Sequence, residues 1–304
     1  MNIIARHSPT GQTSGHKIAR IAANTAEVFR RFLRRCIRRF IAIVHALLRP
    51  PVTPIEEAQW HHATKPYVFV ARLSREENRR LRLIAADFLS RKNITGAAGL
   101  VVTELLRLQI AAQACILILE LGVDSYDGWN DIVVYPAAFR PRRTFTDAAG
   151  VVHNTTAILS GEAWLGGPVV LSHAAITQAS DGDTRHGAHN VVIHEFAHKL
   201  DMRNGNANGF PPLHRGMQKL AWQQAFMAAY LDFCQRVDRA SALAHTDGGA
   251  AWRTLPLDAY AAENPAEFFA VMSEAFFITP ADVKTAYPAA YAQLVAFYRQ
   301  NPLA

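Results

Sequence analysis

The segment VVIHEFAHKLDM at residues 191–202 sets His194 and His198 four residues apart, with Glu195 directly after the first. On an α-helix, positions four apart lie one above the other, so both imidazoles can aim at one point. Zn²⁺ takes two imidazoles and one further protein ligand, keeps its fourth position for water and lowers the pKa of that water to about 7. Glu195 is turned about 100° from His194, to the side of that point, where its carboxylate can take a proton as the water attacks. With thirteen His and twelve Glu in 304 residues, H-E-x-x-H arises by chance in roughly 2% of such chains, so its surroundings decide. An apolar VVI precedes the motif and helical patterning runs through it. Asp201 follows His194 by seven residues on the same face, where it can hold a ligand imidazole by its second nitrogen or form a solvent salt bridge.

A third ligand must come from elsewhere, and DAYAAENPAEFFAVMSEAFF at 258–277 is the best region. Pro265 suits the first turn of a helix capped by Asn264. Glu267 and Glu274, seven apart, share one face, with Phe268, Val271 and Ala275 toward the core. Spacing alone allows either carboxylate to ligate, while Glu263 precedes the helix and is held less rigidly. His173, His186 and His189 lie near the motif but off its ligand face and read as surface or loop histidines. Ser160 lacks the G-x-S-x-G frame of a nucleophile elbow. RNGNANGF, at 203–210, has no phosphate-loop pattern and reads as a mobile loop near the site.

The elements that must position these groups are legible in outline. Ser74 and Glu77 stand at capping-box spacing, predicting a helix to about Lys92, and a second helix follows Gly99. The apolar run GLVVTELLRLQIAAQACILILELGV is interrupted by Glu104, Arg107, Gln109 and Gln113, which fits a buried amphipathic helix better than a membrane span. Strand signals follow at DIVVYP, GVVHNTTAILSGEAW and PVVLS. Beyond the motif, helices are expected at about 216–239, 264–277 and 281–299, with a loop at 245–250. Helices, then short strands, then helices indicate an α+β domain rather than regular βαβ winding.

The net charge of +7 is concentrated at the start: residues 1–50 carry ten Lys and Arg against one acid, Glu27, leaving 22 bases and 24 acids beyond. The body is therefore close to neutral and offers no basic stripe for direct nucleic-acid contact. Residues 1–23 read as a disordered start. Over residues 27–48 a face of Phe29, Phe32, Leu33, Cys36, Ile37, Phe40, Ile41, Val44 and Leu47 opposes six arginines. This basic amphipathic helix is an interfacial membrane anchor, a targeting peptide or a helix packed on its own domain. Prolines 50, 51 and 54 read as a linker, which divides the chain into a leader, 1–54, and a domain, 55–304. Three scattered cysteines without C-x-x-C spacing suit a reducing, cytoplasmic compartment.

VVIHEFAHKLDMRNG and DAYAAENPAEFFAVMSEAFF resemble the two signature segments of the Mlc titration factor A family of bacterial HExxH zinc metallopeptidases. IAAQACILILELGVDSYDGWNDIVVYPAAF, ILSGEAW and GPVVLS are also similar to that family's pattern, so the resemblance spans about residues 72–300. The Tyr-x6-Glu-Phe-Phe arrangement resembles, in addition, the catalytic domain of anthrax lethal factor. These resemblances imply a zincin-like α+β metallopeptidase domain with a small mixed sheet and flanking helices. They imply that His194, His198 and Glu267 bind Zn²⁺, that Glu195 is the general base and that Tyr260 is an active-site tyrosine. The implied partner is a peptide or protein substrate of a monomeric enzyme, lying along a sheet edge for which PVVLS is the expected strand. The family also implies a reading of another class, a regulatory protein that sequesters a transcriptional repressor.

Overall fold

Helix starts follow the caps written in the chain. The structure, a computed structural model, describes residues 51–138, 143–146, 152–155, 160–178, 189–244, 246 and 248–304. The disordered start and basic helix expected within residues 1–50, and His186, lie outside the described residues. Helices α1 (Glu57–Thr64) and α2 (Val68–Ala71) lead to α3 (Arg75–Arg91), whose capping box is complete: Ser74 Oγ accepts from Glu77 N at 3.2 Å and Ser74 N donates to Glu77 Oε2 at 2.8 Å. Strand β1 (Asn93–Gly96) and helix α4 (Glu104–Ile116), capped by Thr103, follow. Among the described residues, no helix is long and apolar enough to cross a membrane.

Next come β2 (Asp131–Tyr135), an antiparallel pair β3 (Arg143–Thr146) and β4 (Val152–Thr155), then β5 (Gly161–Ala163) and β6 (Val169–Ser172). The main sheet has the order β1-β2-β6-β5, with β1, β2 and β6 mutually parallel and β5 antiparallel to β6. The architecture is the expected α+β class with a small mixed sheet, but two details differ. NITG, a poor strand former, pairs with β2 through a β1-α4-β2 crossover that the sequence pattern did not reveal. PVVLS is not an edge: all four β6 residues are buried and the strand lies between β2 and β5, so the three-residue β5 is the edge on that side, with β1 at the other. A strand apolar on both faces suits the interior, whereas short polar strands suit edges.

The remaining helices are α5 (His173–Gln178), α6 (Val191–Asp201), α7 (Lys219–Leu243), α8 (Ala250–Arg253), α9 (Pro265–Ile278), α10 (Pro280–Ala286) and α11 (Pro288–Tyr298). The single helix expected at 281–299 is thus two. Tyr287 adopts φ −137°, ψ 64° before Pro288, because a proline disfavours helical geometry in the residue ahead of it.

Helix α6 packs on β5 and β6 and against α9. Phe196, within HEFAH, is wholly buried among Phe88, Tyr126 and Trp129, with ring centroids 5.7, 5.0 and 5.6 Å away. Truncating such a side chain costs about 3–5 kcal/mol, so packing fixes the rotation of the motif helix. Helix α9 is more deeply set than a one-faced helix: every residue from Ala266 to Phe277 except Glu267 is buried. Its Phe268 and Phe269 meet Trp222 and Phe226 of α7, and its Phe276 and Phe277 meet Tyr298 of α11.

Candidate metal centre

The site begins at the cap of α6. Asn190 Oδ1 accepts from Ile193 N at 2.9 Å, and Asn190 Nδ2 donates to Gln113 Oε1 at 2.8 Å. Gln113 Nε2 in turn donates to the Tyr67 hydroxyl at 2.8 Å. A buried polar chain from α4 therefore anchors the start of the motif helix, so the polar residue that interrupts the apolar run has a structural task. One turn on, His194 Nδ1 lies 2.7 Å from Glu274 Oε1, while Glu274 Oε2 accepts from Asn190 N. The carboxylate takes the Nδ1 hydrogen and leaves Nε2 as a lone-pair donor facing the site.

His194 Nε2, His198 Nε2 and Glu267 Oε2 converge, with separations of 2.9 Å for His194–Glu267, 3.1 Å for His198–Glu267 and 3.1 Å between the imidazoles. Glu267 is brought there by its position in the first turn of α9, where Asn264 Oδ1 accepts from Ala266 N and Glu267 N. Three lone-pair donors held this close repel one another unless a proton or cation lies among them. The electrostatics agree. Burial opposes charge on His194, yet Glu267 and Glu274 outweigh it and hold its pKa well above the ordinary imidazole value. Burial would raise Glu267, but the two imidazoles draw it down to about 2. Two imidazoles and one carboxylate, oriented from behind, fit a divalent metal ion, which takes the place of those protons.

Beside the cluster lies an open cavity of about 530 Å³, lined by all three β5 residues, by Met202, Ala207 and Asn208, and by Glu195 and Tyr260. Burial pushes Glu195 up to about 7, against the pull of His194 and His198. Tyr260 sits in a 3-10 turn (Ala259–Ala262) capped by Asp258; it is half-exposed, and its ring centroid is 6.0 Å from that of His194.

The sequence model of the family described as glucose-regulated metallo-peptidase M90 matches residues 48–299. The chain belongs to that family. It is 36% identical over 249 residues to Mlc titration factor A of Yersinia pestis (strain Pestoides F), covering 81% of this chain and 86% of that protein. The same figures hold for Mlc titration factor A of Yersinia pseudotuberculosis serotypes O:1b (strain IP 31758) and O:3 (strain YPIII). Membership of the M90 metallo-peptidases and the donor set point alike to a metal ion at His194, His198 and Glu267.

Not every residue singled out in the M90 sequence takes its expected place. Asp201 does not hold an imidazole by a hydrogen bond: its Oδ2 accepts from Asn208 N and Gly209 N, both at 2.7 Å, and ties down the loop expected to be mobile. Its Oδ1 and His198 Nδ1, both buried, have no hydrogen-bond partner among the described residues. Glu274, weighed as a ligand, instead grips the back of His194. His189 is exposed on its side-chain surface, and His173 opens α5 outside the cluster. Asn190 and Gly161 escaped notice because an isolated cap and an isolated glycine carry no spacing signal. Lys199 escaped as well: its Nζ donates to Trp164 O at 2.8 Å and Gly167 O at 2.9 Å, pinning the β5-β6 turn to α6.

Proposed function

We propose that this M90 protein is a zinc-dependent peptidase in which His194, His198 and Glu267 hold Zn²⁺, Glu195 is the general base and Tyr260 an oxyanion donor. The observation that carries the reading is a three-donor cluster facing an open cavity, with the Glu195 carboxylate on the cavity wall. A closed structural site would supply four protein ligands and would need no base beside it. Imidazole and carboxylate donors suit zinc better than magnesium or calcium, which favour all-oxygen sets. When bound, the ion supplies Lewis acidity, polarising the peptide carbonyl and making water easier to deprotonate.

The chain's own groups do the rest. A Glu195 carboxylate oxygen takes the proton of the attacking water and passes it to the leaving amine nitrogen. The Tyr260 hydroxyl donates to the carbonyl oxygen as negative charge grows there. The outer side of β5 offers backbone groups to an extended peptide, giving affinity without strong side-chain choice. Glu195→Gln is expected to keep stoichiometric zinc, measured by metal analysis, and to lose hydrolysis of a peptide mixture by about 10²-fold or more. Wild-type cleavage by that variant would remove Glu195 from the mechanism.

A second reading draws on the relatives' name, Mlc titration factor A: the chain binds a transcriptional repressor and its hydrolysis is secondary. Repressor binding that persists in Glu195→Gln, with no cleaved substrate in cells, favours that reading. Cytoplasmic action as a monomer belongs to the proposal, as does membrane-surface contact through residues 27–48. Co-sedimentation with anionic liposomes, with and without residues 1–50, tests the membrane contact.

A further inference from the structure

Gly161 opens β5 at a point where the edge strand meets α6 and no side chain fits. A Cβ at this position would lie 2.4 Å from Glu195 Oε1, 2.7 Å from Glu195 Cγ and 2.6 Å from Val191 Cγ2. Carbon atoms in good contact are about 3.5–4.0 Å apart. Backbone freedom is not the reason for glycine, since Gly161 is not among the residues with positive φ. We propose that Gly161 is a positioning residue for Glu195: its bare backbone lets the edge strand press on the carboxylate stem and hold it in one rotamer. This rests on the reading of Glu195 as the general base.

The surroundings leave two side chains to yield to an added methyl, Val191 and Glu195, and Glu195 supplies two of the three close contacts. Helix α6 cannot retreat, because Phe196 is wedged among Phe88, Tyr126 and Trp129. Strand β5 cannot lift away, because Gly161 is in register with Leu171 of β6 and Lys199 ties the following turn to α6. Glu195 is itself buried, so its displaced oxygens would leave their place beside the ligands. The three atoms nearest the added carbon belong to Glu195 and Val191 and none to a ligand, so metal binding should survive while proton transfer suffers.

The test places Gly161→Ala in three backgrounds: wild type, Glu195→Ala and Val191→Ala. Melting of the metal-free protein is read first. Gly161→Ala is expected to lower the melting temperature by several degrees in wild type, to lose at least half of that effect in Glu195→Ala, which removes two of the three close contacts, and to lose less of it in Val191→Ala, which removes one. An undiminished effect in the Glu195→Ala background, or a rescue by Val191→Ala as large as that by Glu195→Ala, makes Gly161 a packing glycine and overturns the proposal. If Gly161→Ala alone does not fold, Gly161→Ala/Glu195→Ala is expected to fold; its failure also overturns the proposal. With zinc loaded, Gly161→Ala should show kcat reduced at least about tenfold, KM within about twofold and zinc affinity unchanged. Wild-type kcat in Gly161→Ala, measured beside an inactive Glu195→Gln, refutes the positioning role. Full hydrolysis by Glu195→Gln sinks the general-base reading instead, and the metal-free melting comparison still decides whether Gly161 holds Glu195.

Discussion

Helices α6 and α9 are both buried nearly end to end and both reach the same cluster, yet they do so in different ways. Helix α6 delivers its groups through a local repeat, His194 and His198 one turn apart with Glu195 beside them. Helix α9 delivers two carboxylates two turns apart on one face, and the structure gives them opposite tasks. Glu267, at the first turn, has a side chain 17% exposed and meets both imidazoles from the cavity side. Glu274, 1% exposed, passes behind His194 to its Nδ1 and to the cap of α6. Spacing therefore tells which side chains share a face, while depth along the helix decides which joins the three-donor cluster and which meets the back of its imidazole.

The sharpest way to break this contrast is to remove one carboxylate at a time. Glu267→Ala is expected to lower zinc affinity by more than about 100-fold in chelator competition, and His198→Ala to do likewise from the other helix. Glu274→Gln should cost about 10–100-fold, the usual effect of losing a partner behind a ligand. Equal loss from Glu274→Gln and Glu267→Ala would erase the division of labour in α9.

A smaller effect is expected just ahead of α9. Tyr260→Phe removes one oxygen from a half-exposed ring, so zinc content and melting should stay unchanged while kcat falls about tenfold, with KM altered less. Unchanged kcat would leave the oxyanion to the ion alone.

An effect on stability rather than on the site concerns the far side of α6, where Trp129 lies under two ammonium groups, Lys92 Nζ at 3.7 Å and Lys199 Nζ at 4.4 Å from the ring centroid. Burial lowers each lysine to about 8. Unfolded lysine titrates near 10.4, so between about pH 8 and 10 the unfolded chain holds more protons than the folded one. Stability from these groups consequently rises with pH in that window, by at most about 1.4 kcal/mol per pH unit for each lysine. Lys92→Met should flatten the rise in urea midpoint between pH 8 and 10. An unchanged slope would mean that Lys92 keeps an ordinary pKa in the fold.

What the sequence disclosed and what it hid divide along the same line. His194, Glu195 and His198 were legible because one helical turn contains their geometry, and the caps at Ser74 and Asn264 because a cap is written within four residues. The choice between Glu267 and Glu274 was not, since spacing left both open and only family resemblance favoured one. The chain Tyr67–Gln113–Asn190 spans separations of 46 and 77 residues and leaves no local trace. Strand β5 was quoted within a longer strand signal, but three residues cannot announce that they form an edge, and the more apolar β6 took that role by default. Asp201 has the right face for an imidazole, but two backbone N–H groups of its own loop claim one of its oxygens.

His194 and Glu267 stand 73 residues apart in the chain. Closing a flexible loop of that length carries an entropy cost of about 4 kcal/mol beyond a constant, and here the closure brings three lone-pair donors together at its junction. An ion held there would bridge the two helices, so metal uptake and the docking of α9 on α6 would strengthen each other by the same free energy. Whatever loosens α9 would then weaken metal binding without touching a ligand.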